Sequence, residues 1–176
     1  MTEYDTAVEW ARIRANGPQL RPTGTAAPPG MTRLVEPDGS GVWLVAAPPE
    51  GTGMRVLPEL GLRGLTLDKP NEAARVLACC LRCCWLNPLD PLWPSGSATL
   101  SQVEGLYAAI GGPRDAEAVH RLVVAALRQL DQSRWVLFDE HLNTIRLGPQ
   151  VALWGDQDVS VLRQLWRGLP TPQAAP

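Results

Sequence analysis

The alternation of apolar and polar positions changes character along this chain. Near its start Tyr4, Ala7, Val8 and Ala11 recur at i, i+3, i+4 and i+7. That period predicts a short helix over residues 2–15, capped by Thr2 and stopped by Asn16-Gly17-Pro18. The stretch to Gly30 holds Pro22, Gly24, Pro28 and Pro29 without apolar period, and reads as a linker or surface-hugging arm. Two apolar runs follow, Met31–Val35 and Val42–Ala46, about an Asp38-Gly39 pair suited to the positive-φ positions of a hairpin turn. Pro48-Pro49-Glu50-Gly51 makes a second turn, Met54–Leu57 is a candidate third strand, and Leu62–Leu67 is ambiguous.

From Asp68 the pattern turns helical. Asp68 as cap, Pro70 in the first turn and Glu72 near the positive helix end predict a helix that runs to about Leu86, before Asn87-Pro88. Pro88, Pro91 and Pro94 force an extended connection to about Ser97. A second helix spans about Leu100–Ile110, with Thr99 and Gln102 spaced as a capping box. Gly111-Gly112-Pro113 ends it, and a third helix runs from Arg114 or Asp115 to Leu130. Its apolar face is Ala116, Val119, Leu122, Val123, Ala126, Leu127 and Leu130. Strands at Trp135–Phe138 and Thr144–Leu147, a helix over about Val159–Arg167 capped by Asp158, and a loose tail over 171–176 complete the chain.

The expected class is α+β. Residues 1–67 form a helix, a Pro/Gly-rich linker and a β-hairpin or three-stranded section, and residues 68–170 a second unit. In that second unit the Gly111-Gly112-Pro113 turn joins two amphipathic helices, and the Trp135–Leu147 hairpin follows. This order resembles the winged helix-turn-helix superfamily at the level of fold. The resemblance implies that the third of these helices reads a DNA major groove and that the hairpin is its wing. Winged helices also bind proteins, so residues and not the fold decide between them.

Charge bears on that choice. The chain is net −2, which excludes a strongly basic protein that coats nucleic acid. Arg114, Arg121 and Arg128 are seven apart and form a row opposite the apolar face, while Arg134 and Arg146 flank the wing. These five are the candidate contacts to double-stranded DNA. Against them, Glu117 sits one turn before Arg121, Asp131 is near, and the wing tip carries Asp139-Glu140. A solvated, salt-bridged face is the plain alternative. DNA-binding regulation as a dimer is the expected function; a protein-binding adaptor or subunit is the alternative, with Val124, Trp93 or Trp154 at the interface.

Cys79, Cys80, Cys83 and Cys84 lie together in Cys-Cys-x-x-Cys-Cys. Four thiols diverging from one helix axis cannot enclose a tetrahedral ion, so they read as core packing, with no metal and no cofactor expected. No nucleophile elbow, phosphate loop or zinc-protease motif occurs, and two histidines leave few general bases, so an enzyme is not expected. The acidic start and the absence of a long apolar run point to a cytoplasmic protein without a membrane span.

Overall fold

The computed structural model describes residues 3–52, 56–62, 71–112 and 115–172. It is α+β, with two small three-stranded antiparallel sheets. No helix among the described residues is long and apolar enough to cross a membrane.

The first helix, α1 (Glu3–Asn16), forms over the expected span but turns a different face inward. Tyr4 is 77% exposed, whereas Ile13 is buried and Trp10 packs beside it. The two largest apolar side chains set the face, because they remove far more area from water than Ala7 or Ala11 would. The proline-rich arm holds a short strand, β1 (Gln19–Arg21), too brief to show a period. It pairs with β3 (Val42–Ala46), which also pairs with β2 (Met31–Val35), giving the order β1-β3-β2. So the third strand of this sheet is β1. Of the expected strand at Met54–Leu57, Met54 and Arg55 lie outside the described residues, and Val56 and Leu57 lie in a turn that buries Leu57. Of Leu62–Leu67, only Leu62 is described.

The second helix, α2 (Glu72–Cys84), is capped by Asn71, whose Oδ1 accepts from Ala74 N at 2.7 Å; Asp68 lies outside the described residues. Every residue from Val76 to Leu81 is buried, and so are Cys83 and Cys84. A short strand, β4 (Ser97–Thr99), leads into α3 (Leu100–Gly111). The Thr99–Gln102 capping box forms, with Thr99 N donating to Gln102 Oε1 at 2.9 Å. Then come α4 (Ala116–Gln132), capped by Asp115, and the hairpin β5 (Val136–Asp139) and β6 (Thr144–Leu147). β4 joins the hairpin on its β6 side, giving the order β4-β6-β5. The main core lies between this sheet and α2, α3 and α4.

A 3-10 turn (Pro149–Leu153) leads to α5 (Asp156–Gly168). This helix starts a turn before its expected position. Asp158 does not cap it but reaches back, and its Oδ2 accepts from Gly155 N at 3.0 Å. Of the tail, 173–176 lie outside the described residues, and Thr171 accepts a hydrogen bond from Arg82 at 3.3 Å.

The two sheets meet through β3. All five of its residues are buried, which marks a strand covered on both faces. Leu44 and Ala46 pack with Ile13, Leu57 and Leu153 in a smaller core. Trp43 turns to the other unit, where the Arg134 guanidinium lies 5.8 Å from its ring centre.

Candidate binding face of the fourth helix and the hairpin

The buried stripe of α4 is Val119, Val123, Val124, Ala126, Leu127 and Leu130. Val124, expected to stand exposed among charges, is only 8% exposed, and Leu122 is on the solvent side instead. The reason is the tilt of α4 against its neighbours. His120 Nδ1 lies 2.7 Å from Glu104 of α3, and Asp131 Oδ1 accepts from Phe138 N of β5 at 3.2 Å. Residues 120, 124 and 131 share that side of the helix, so α3 and β5 roof over Val124.

Arg121 and Arg128 project about a quarter-turn round the helix from these. Arg121 pairs with Glu117 at 2.6 Å on its own helix. Arg128 reaches across to the hairpin tip, where Nε and Nη2 donate to the two carboxylate oxygens of Glu140 at 3.1 and 2.5 Å. These bonds hold the Glu140 carboxyl below its ordinary range and push the Arg128 guanidinium further up. The tip is ordered by its own residues as well: Asp139 Oδ1 accepts from His141 N and Leu142 N, both at 3.0 Å. Leu142 stands 71% exposed beside it. Arg114 lies outside the described residues.

The two arginines flanking the hairpin are likewise paired with carboxylates. Arg134 occupies the corner between α4 and β5 with φ +61, a left-handed backbone that non-glycine residues rarely adopt. Its guanidinium pairs with Asp131 at 3.3 Å and covers Trp43. Arg146, at the middle of β6, pairs with the buried carboxylate of Glu36 at 3.2 Å. The other oxygen of Glu36 accepts from Trp43 Nε1 at 2.6 Å. One carboxylate thus ties β6 to the N-terminal sheet. Nothing in the sequence marked Glu36, a residue in a hairpin loop, as a buried hub.

The tryptophans proposed as interface anchors face inward. Trp154 is buried against Trp135, ring centres 4.8 Å apart. Trp93 is half-buried on the main core, with its indole N–H enclosed and unpartnered among the described residues.

The four cysteines are free and buried. Burial pushes the thiols of Cys79 and Cys84 up to about 12 and that of Cys80 well above its ordinary value. Burial raises Cys83 too, but only to about 11, since it is less enclosed than the other three and Arg82 favours its thiolate. All four are neutral thiols near pH 7, and Cys84 Sγ donates to Ile145 O at 3.4 Å beneath the hairpin. They pack as small hydrophobes. Among the described residues no three His, Cys, Asp or Glu side chains are grouped to hold a metal.

Comparison of this chain with family models, with curated proteins and with solved structures finds no match.

Proposed function

We propose that this chain is a non-enzymatic protein with a winged-helix arrangement in its C-terminal part, and that α4 and the hairpin bind a protein partner. The winged-helix reading is supported by the order α2-β4-α3-α4-β5-β6 and by a third strand, β4, that ties the hairpin back to the helices.

One observation carries the choice of partner. Each described arginine on the candidate DNA face already has a carboxylate of the same chain: Arg121 has Glu117, Arg128 has Glu140, Arg134 has Asp131 and Arg146 has Glu36. Binding to a duplex draws its affinity from cations that replace counterions on phosphates, and internally neutralised arginines supply little of that. Alongside the Arg121 and Arg128 pairs, between them and the buried stripe, runs an uncharged strip at i, i+4, i+7 and i+11, made of Ala118, Leu122, Ala125 and Gln129. An uncharged strip with charges along one edge matches the depletion of charge found at the core of protein interfaces.

A second reading, DNA-binding regulation as a dimer, is favoured by exposure. The side chains of Arg121 and Arg128 are 63% and 59% exposed, and surface ion pairs are individually weak enough to be exchanged for phosphate. Duplex titration at rising salt separates the two. The protein-binding reading expects no retained duplex at low salt and a captured partner that Leu122→Glu releases. Duplex binding that falls steeply with salt, and is weakened by Arg121→Ala with Arg128→Ala, overturns it in favour of the regulator.

A further inference from the structure

The last turns of α1 and α4 run against one another. A Cβ built on Gly17, just past α1, would stand 3.4 Å from Ser133 O, just past α4. Beside this contact is a half-open cleft of about 660 Å3, floored by Ile13, Leu62 and Trp135. That volume is in the range of small-molecule sites. Its polar lining includes Arg14, Asn16, Gln129, Gln132, Arg134 and Gln150.

Gln150 is the informative member. It is 5% exposed, and its backbone N donates to Arg134 O at 3.0 Å. Its carboxamide makes no hydrogen bond to any described residue. Its amide atoms are not sealed off from solvent, so the carboxamide opens to the cleft and bonds whatever fills it. The other buried polar side chain, Glu36, has two partners.

Electrostatics narrow what would satisfy Gln150. No carboxylate of a described residue lines the cleft, so a cationic ligand finds no counter-charge among them. The two guanidiniums are already engaged: Arg14 Nε donates to Leu60 O at 3.0 Å and stacks on Trp10, and Arg134 pairs with Asp131. Two helix C-termini, each with a partial negative charge, also border the cleft and oppose an anion. What remains is an uncharged group. A carboxamide presents one donor and one acceptor side by side, and its natural complement is another amide edge. Carboxamides read nucleobase edges in this way.

We propose that this cleft binds an uncharged small molecule with an amide-type edge, such as a lactam, a primary carboxamide or a nucleobase, held by Gln150. This site adjoins the α4 surface, with which it shares Gln129, but it rests on neither reading of that surface.

The test is calorimetric titration of the full chain with uracil, 2-pyridone and nicotinamide, with nicotinate as the charged control. At least one amide probe is expected to saturate, with nicotinate weaker by about tenfold or more. Gln150→Leu keeps the shape and removes the unpaired amide. It is expected to lose the probe by about tenfold or more, with a melting temperature equal to or above that of the parent. A residue with only a structural role would lower the melting temperature and leave the titration unchanged. Ala15→Trp, at the exposed rim of the cleft, fills it without touching the core and is expected to abolish binding. The proposal is overturned if none of the three probes binds into the millimolar range, or if binding survives either substitution.

Discussion

At its base the β5-β6 hairpin is fastened by backbone, buried rings and a buried carboxylate, whereas its tip is held to α4 by one exposed ion pair. At the base, Gly148 N donates to Trp135 O at 2.8 Å and Gln150 N to Arg134 O at 3.0 Å. Trp135 is buried against Trp154, and Arg146 is tied through Glu36 to Trp43. At the tip, Glu140 and Arg128 are both more than half exposed. The same hairpin thus carries two kinds of neutralised arginine. Arg146 is part of the fold, and Arg128 is available to any partner that competes for it. An arginine's place in a row says nothing about which kind it is; the burial of its carboxylate does.

The sharpest way to break the base is Gly148→Ala. An added Cβ would stand 2.1 Å from Arg134 O, a backbone atom that cannot swing aside. The expected loss is more than about 4 kcal/mol, enough to prevent folding of a domain of ordinary stability, read by circular dichroism and soluble yield. A fully folded alanine variant would show that the base is not the rigid end. Next in size is the Glu36 hub, where the two partners are not equivalent. Arg146→Ala leaves a buried carboxylate with one indole N–H, and should cost about 3 kcal/mol. Glu36→Ala leaves Arg146, which reaches water, and one unpaired indole N–H, and should cost about 2 kcal/mol. Urea unfolding of both variants tests that order, and a reversed order would mean that Glu36 is better hydrated than its burial implies.

Much of this architecture was legible in periodicity, and the misses share one physical cause. Both hairpins, the capping box at Thr99–Gln102 and helices α2 to α5 follow from spacing and turn chemistry, which act over a few residues. Strands β1 and β4 span three residues each, less than two periods of alternation, and form only because a longer strand waits beside them. The inward face of α1 and the exchange of Leu122 for Val124 depend on which neighbours a helix meets, which its own period does not encode. At the candidate face the arginine row was visible, and so was Glu117. Glu36 was not, because its partner is 110 positions away in the chain. Gln150 was hidden for a similar reason: the cleft it lines also takes residues from the distant ends of α1 and α4.

The layer beneath the base gives an effect that is silent near neutral pH and has a definite pH signature. The thiols of Cys79, Cys80 and Cys84 ionise in the unfolded chain near 9.0 but stay protonated well above that in the fold, because burial disfavours thiolate. The folded pKa is raised, so this stability is complete below pH 9 and is lost as pH climbs toward about 12. Each such thiol removes about 1.4 kcal/mol per pH unit in that window. Denaturant unfolding at a series of alkaline pH values should show the decline. Replacing Cys79 and Cys84 with alanine should make it shallower, with Cys80 and Cys83 left to titrate, at a cost in stability near neutral pH. Rapid alkylation of the native protein at neutral pH would contradict the packing assignment.

The smallest expected effect on stability is also the one that separates the two ends most cleanly. Glu140→Gln removes the charge that holds Arg128 at the tip, yet both side chains lie in water, so the unfolding midpoint should not move measurably. Acid should act in the same direction. The folded carboxyl of Glu140 sits below its ordinary value because Arg128 hydrogen-bonds its ionised form. Its contribution is therefore present above the unfolded pKa and fades as pH falls through the folded one. What should change is the surface. Freed of Glu140, Arg128 becomes an uncompensated cation beside Arg121, and duplex affinity at low salt rises if α4 meets phosphate. Under the protein-binding reading, Glu140→Gln leaves duplex binding absent, and only the salt dependence of partner capture shifts. Raised duplex affinity in this variant, with the midpoint unmoved, would return the hairpin tip to the DNA reading and leave the base as the structural anchor common to both.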